Sequence, residues 1–170
     1  MGGAMADSEP GGHQSGARVL VVDDDATIRL LCTRVLKEAG YEVLEAEGSP
    51  EAMALLVESN EPIDLVLVDL FLPPPGFQLA SEKTQYRRVN GHEMVAQMLT
   101  MKKQLRVVYM SSQSKSGLAS QEIALGDTPF LQKPLSKDAL LDQVSAAIAG
   151  PPLVFHECPD GKKSDVRWVD

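Results

Sequence analysis

Two cysteines, Cys32 and Cys158, stand far apart in 170 residues, with no CxxC pair and no cluster among the three histidines. That scarcity excludes both a zinc centre of the usual spacing and a disulfide framework. Cys32 falls inside a helical pattern, where a small core residue is expected rather than a nucleophile. His92 and His156 are solitary and lack metal-ligand spacing, so surface roles are expected for both. No apolar run approaches the roughly 20 residues that span a bilayer, and the N-terminus has no apolar signal-peptide core, so the expectation is a cytoplasmic protein without membrane contact. Basic charge is also short: the net charge is −8, which disfavours direct nucleic-acid binding.

The composition that remains, 44% apolar and 24% charged, is that of a globular domain, and 170 residues suffice for one well-buried core. Residues 1–17 are small and aperiodic and read as a disordered leader. Residues 18–150 carry the periodic pattern of one domain, closed by Gly150-Pro151-Pro152. Residues 151–170 form a tail with alternating apolar positions about Pro159-Asp160-Gly161, which fits a β-hairpin or a segment ordered by a partner.

Within the domain, the organising stretch is DLVLVDLFLP at residues 64–73. An apolar, valine-rich run between prolines reads as a strand covered on both faces, and Asp69 sits at its carboxyl end. Residues 18–22 form a similar run that ends in Asp23, Asp24 and Asp25. Three acids in a row repel one another unless a cation compensates, and only Asp25 has an obvious structural role, as cap of the next helix. That helix, residues 26–39, buries Ile28, Leu31, Cys32, Val35 and Leu36 and stops at Gly40.

Further strands are expected at residues 41–44, 106–110 and 128–132. Further helices are expected at 49–59 with Ser49 as cap and Pro50 in the first turn, at 92–102, at 114–125, and after Ser136. Gly117 and scattered serines forecast modest stability for the helix at 114–125. Strands alternating with helices imply a parallel sheet with helices on both faces and right-handed crossovers, a doubly wound α/β fold.

Residues 73–90 break the rhythm with consecutive prolines and a basic cluster of Lys83, Arg87 and Arg88. Aperiodic loops of this length are uncommon inside compact domains. The segment reads either as a tolerated surface excursion, since doubling a loop costs only about 0.6 kcal/mol, or as a partner-docking element.

Four strand ends now carry polar residues: Asp23 with Asp24, Asp69, Ser111 and Lys133. In a doubly wound sheet these ends share one edge, the edge where ligands bind. Carboxylates with a hydroxyl and an ammonium suit Mg²⁺, a hard cation with oxygen ligands. With charge so neutralised, Asp69 is placed to attack a phosphoryl group and hold it as an acyl phosphate.

The pieces VLVVDDD at 19–25, DLVLVD at 64–69, NGHEM at 90–94, VVYMSS at 107–112 and FLQKP at 130–134, in that order, make the chain resemble the receiver domains of two-component response regulators. The resemblance covers residues 18–149 and implies a flavodoxin-like five-stranded sheet of order 2-1-3-4-5. It implies Asp69 as phosphoacceptor and Asp23, Asp24, Asp69 and the backbone carbonyl of Phe71 around Mg²⁺. It further implies Ser111 and Lys133 as groups that contact the phosphoryl oxygens, with a Lys133-Pro134 bond of the kind often cis in relatives. Phe130 takes the aromatic switch position, where, lacking a hydroxyl, it would move by packing alone.

The implied partners are a histidine kinase or phosphotransfer protein upstream and a protein met by the face around the fourth helix and fifth strand downstream. The Gly-rich leader and the FLQKP ending look like receivers that close hybrid histidine kinases, whereas the hairpin-like tail fits an independent protein. No stretch carries a kinase's own ATP-binding features, and the implied role is that of a signalling phosphoacceptor with at most slow autodephosphorylation rather than an enzyme. Two other readings stand beside it. An aspartyl-nucleophile phosphohydrolase of the haloacid-dehalogenase type needs an acid two residues after the nucleophile, where this chain has Phe71. An interaction module could keep the fold without being phosphorylated.

Overall fold

A computed structural model describes residues 16–73, 90–121, 123 and 125–154. Five parallel strands form its sheet: β1 (Arg18–Val22), β2 (Glu42–Ala46), β3 (Leu65–Asp69), β5 (Val107–Ser111) and β6 (Phe130–Gln132), ordered β2-β1-β3-β5-β6. With β4 (Gln104–Leu105) set aside in a separate two-stranded ladder, this is the expected 2-1-3-4-5 order. Central strands β3 and β5 are buried at every position, as continuous β-branched runs require when helices cover both faces.

Side-chain alternation along the strands builds two separate cores. Leu20, Val22, Val66 and Val68 pack with Ala52 and Leu56 of α2 (Ser49–Glu58) and with Met94 and Met98 of α3 (Asn90–Lys102). Val19, Val21, Leu65 and Leu67 pack instead with Cys32 and Leu36 of α1 (Ala26–Glu38) and with Leu140 and Val144 of α5 (Lys137–Ala149). Cys32 is fully buried, and burial pushes its thiol up to about 12, consistent with a packing residue.

The helix ends follow local chemistry. Asp25 caps α1, its Oδ1 accepting the Thr27 N–H at 2.8 Å, and Gly40 ends the turn with φ 92°. For α2 the cap is Gly48, with Ser49 already helical. The first turn is tied instead by Glu51, which accepts the Glu47 N–H at 2.8 Å. The helix expected over 114–125 shrinks to α4 (Lys115–Ala119), capped by Ser114, whose Oγ accepts the Gly117 N–H at 3.1 Å. Serine hydroxyls here bond backbone locally, as Ser120 does to the Ser116 carbonyl, and compete with a longer helix.

At the amino end of the sheet Arg18 ties three segments together. Its guanidinium donates to Ser59 Oγ at 2.9 Å and to the carboxylates of Glu42, at 2.6 Å, and Glu61, while its backbone N–H donates to Asp64 Oδ2 at 2.7 Å. A feature the sequence did not announce is a two-stranded antiparallel ladder of β4 (Gln104–Leu105) with β7 (Leu153–Val154). Leu153 is buried against the core, so ordered packing continues past Gly150-Pro151-Pro152. The leader up to residue 15, the insertion from 74 to 89, and the hairpin expected about Pro159-Asp160-Gly161, with Cys158 and His156, lie outside the described residues.

His92 is not a surface residue: it is half-buried in the first turn of α3 and its ring stacks on Tyr109, with centroids 6.1 Å apart and planes at 21°. Burial holds its imidazole below the ordinary 6.5, against the opposing pull of Glu93. A depressed histidine contributes stability that is complete above its unfolded value and is lost as pH falls through the folded one. Urea midpoints taken from about pH 8 down to about pH 5.5 are therefore expected to fall more steeply in the native chain than in His92→Phe. Equal slopes would contradict this placement.

Candidate functional site

At the carboxyl edge of the sheet, β1 releases the chain into Asp23 and Asp24, β3 ends on Asp69, β5 ends on Ser111, and Lys133 follows β6. Parallel register does the positioning. Asp69 lies opposite Met110, and Ser111 lies opposite Gln132, so these strand ends fall at one level. The Lys133 N–H donates to the Ser111 carbonyl at 2.8 Å, which carries the β5–β6 pairing one residue further and brings the lysine into the edge.

The Lys133 ammonium donates to Asp23 Oδ2 at 2.6 Å and to Asp69 Oδ2 at 2.7 Å. Each remaining carboxylate oxygen is held by a backbone amide two residues on: Asp23 Oδ1 by the Asp25 N–H and Asp69 Oδ1 by the Phe71 N–H, both at 2.9 Å. Asp23 is fully buried, Asp69 nearly so, and Asp24 is exposed. Burial raises the Asp23 carboxyl above the usual carboxylate range, with the Lys133 hydrogen bond pulling the other way. For Lys133 burial acts downward, but the hydrogen bonds it donates to both carboxylates outweigh it and the ammonium is held above its ordinary value.

Carboxylate oxygens of Asp23, Asp24 and Asp69 lie within 4.8 Å of one another. Three hard oxygen donors at that spacing, with one member open to solvent, are compatible with a metal-binding site. Ser111 is buried, with its Oγ accepting the Gln113 N–H at 3.0 Å, so its hydroxyl hydrogen is available for donation. The Lys133-Pro134 peptide is cis, as the resemblance implied. Phe130, at the start of β6 and opposite Tyr109, is half-buried against the core.

Two contributors escaped the sequence reading. Arg29, one turn into α1, donates to the Asp23 carbonyl at 2.6 Å, so a guanidinium clasps the turn that carries the acids. Gly91 lies directly on β3's exit: a Cβ there would sit 2.1 Å from the Asp69 carbonyl oxygen, and its N–H donates to the Leu70 carbonyl at 3.2 Å. The Asn90-Gly91 pair marked the end of a loop in sequence; that its glycine has to abut the strand bearing Asp69 has no one-dimensional signal.

The family model of the response regulator receiver domain matches residues 19–145. The chain belongs to the response regulator receiver family. It is 29% identical over 134 residues to the phosphate regulon transcriptional regulatory protein PhoB of Pseudomonas aeruginosa, covering 78% of this chain and 52% of that one. It is 33% identical over 130 residues to the CAI-1 autoinducer sensor kinase/phosphatase CqsS of Vibrio cholerae, covering 76% of this chain and 17% of that one. Among solved structures, the chemotaxis response regulator CheY4 of Vibrio cholerae superposes with a TM-score of 0.59 at 25% identity, over 78% of this chain and 98% of that one. The chain thus spans about half of PhoB and a small part of CqsS. As a receiver it carries the Asp23, Asp24 and Asp69 cluster typical of the family's phosphoaccepting site. No helix among the described residues is long and apolar enough to cross a membrane.

The close approach at Gly91 gives a direct test of how the site is built. Gly91→Ala is expected to cost about 2 kcal/mol of stability in urea unfolding, because the clash is with backbone. The control Gly117→Ala, whose Cβ would come no nearer than 3.3 Å to the Ser114 hydroxyl, is expected to be close to neutral. Comparable losses at both positions would contradict the reading.

Proposed function

We propose that this receiver is the phosphoacceptor of a two-component relay, with Asp69 taking the phosphoryl group from a histidine of a partner kinase or phosphotransfer protein. The supporting observation is the ammonium of Lys133 shared between Asp23 and Asp69, with Asp24 within ligand distance of both. The Asp69 carboxylate attacks phosphorus, an O–P bond forms as the donor's N–P bond breaks, and the electron pair leaves on the imidazole nitrogen.

Asp23, Asp24, Asp69 and the Phe71 carbonyl would hold Mg²⁺. Bound there, it would neutralise phosphoryl charge. Lys133 has three N–H donors and uses two of them on the carboxylates, so the third can meet a phosphoryl oxygen without loss of Asp23. The Ser111 hydroxyl can donate to another. Phe71 occupies the position where a phosphohydrolase of the aspartyl type needs its acid, so the acyl phosphate is expected to persist rather than turn over.

Phosphorylation would be read by a downstream protein at the face formed by α4 and β6, around Phe130, in the cytoplasm. Incubation with Mg²⁺ and acetyl phosphate, followed by intact-mass spectrometry, is expected to add one phosphoryl group. Asp69→Asn should abolish the gain, and Lys133→Ala should slow it roughly a hundredfold. A modified Asp69→Asn chain, or an unmodified native one, would refute the assignment.

A further inference from the structure

Of the clustered acids Asp23, Asp24 and Asp69, Asp24 is the one whose side chain makes no hydrogen bond or ion pair among the described residues. Its carboxylate is kept within 4.8 Å of the other two by backbone alone. Peptide units are planar, so holding the units on either side of Asp24 fixes the direction in which its side chain leaves the chain. The unit that follows is tied through the Asp25 N–H, which donates to Asp23 Oδ1 at 2.9 Å. The unit that precedes is tied through the Asp23 carbonyl, which accepts from Arg29 Nη1 at 2.6 Å. We propose that Arg29 is the positioning residue of the metal site: by gripping the peptide between Asp23 and Asp24, it keeps the solvent-facing acid in register with Asp23 and Asp69 for a divalent cation.

Two observations set this role apart from helix stability. The Asp23 carbonyl lies outside the hydrogen-bond ladder of α1, which begins when the Arg29 N–H donates to the Asp25 carbonyl at 3.0 Å, so the side-chain contact serves the turn and satisfies no group of the helix. A cation close to the amino end of a helix also opposes the helix dipole, and α1 has no acid within its first turn to offset it. The turn that carries the acids is what gains.

This role rests on the reading of the three acids as a Mg²⁺ site and adds the residue on which their affinity depends. Groups that orient a metal's ligands without touching the metal typically change affinity by about ten- to a hundredfold. Charge alone works in the other direction. A guanidinium beside the acids repels an incoming cation, so its removal would tighten binding if the grip on the peptide did nothing. The sign of the change therefore separates positioning from charge.

Calorimetric titration of the full chain with Mg²⁺ tests the role, with circular dichroism confirming that each variant is folded. Arg29→Met is expected to weaken Mg²⁺ binding about tenfold. Arg29→Gln, uncharged and too short to reach the carbonyl but still polar at this half-buried position, should show the same loss and serves if the methionine variant does not fold. Arg29→Lys, which retains an N–H donor on a long stem, should recover part of the affinity. Unchanged or tighter binding in a folded Arg29→Met or Arg29→Gln chain, beside a native chain that binds Mg²⁺, would overturn this role and leave the metal site standing. A native chain that binds no Mg²⁺ would overturn both.

Discussion

The architecture of this receiver turns on one contact, the ammonium of Lys133 lodged between the carboxylates of Asp23 and Asp69. Two buried like charges at a sheet edge are unfavourable by themselves, and removing one partner from such a group leaves an uncompensated charge. The lysine is brought there by backbone: its own N–H completes the β5–β6 pairing at Ser111, and the strands β1, β3 and β6 bring the three residues to one level. Fold and site are therefore one problem. The order β2-β1-β3-β5-β6 sets the strands that carry the acids side by side, and the sheet edge does the rest.

The same contact shows how firmly the cluster is held. Both oxygens of Asp69 are occupied, one by Lys133 and one by the Phe71 amide, so this carboxylate is held in one orientation by the fold itself. Asp23 is held from four sides, by Lys133, by the Asp25 amide, by Arg29 at its carbonyl, and through its own N–H to Ala46. Asp24 next to it is exposed. One acid of the pair is thus a fixed wall and the other faces solvent, an arrangement suited to a cation that arrives with part of its water shell.

The sequence was most legible where apolar patterning was continuous. The runs at β1, β3 and β5 are valine-rich and end in polar residues, and from those ends the convergence of Asp23, Asp69 and Ser111 could be drawn, with Lys133 added by the strand that precedes it. It was least legible where a contact joins segments without a shared period. Nothing in Gln104–Leu105 or Leu153–Val154 announces that they pair, the clasp of Arg29 on a carbonyl depends on the helix's angle to the strand, and His92 was taken for a surface residue because its neighbour Tyr109 lies on another element. Helix length was overestimated at α4, where serine side chains compete for the backbone.

The central claim is that Lys133 and Asp69 act as one electrostatic unit. A double-mutant cycle measures this directly, from urea unfolding of the native chain, Asp69→Asn, Lys133→Met and the pair together in metal-free buffer. Strong coupling, at least about 1 kcal/mol of non-additivity, is the expected result. Single effects that simply add, within about 0.5 kcal/mol, would mean that the two side chains do not depend on each other, and the account would fail.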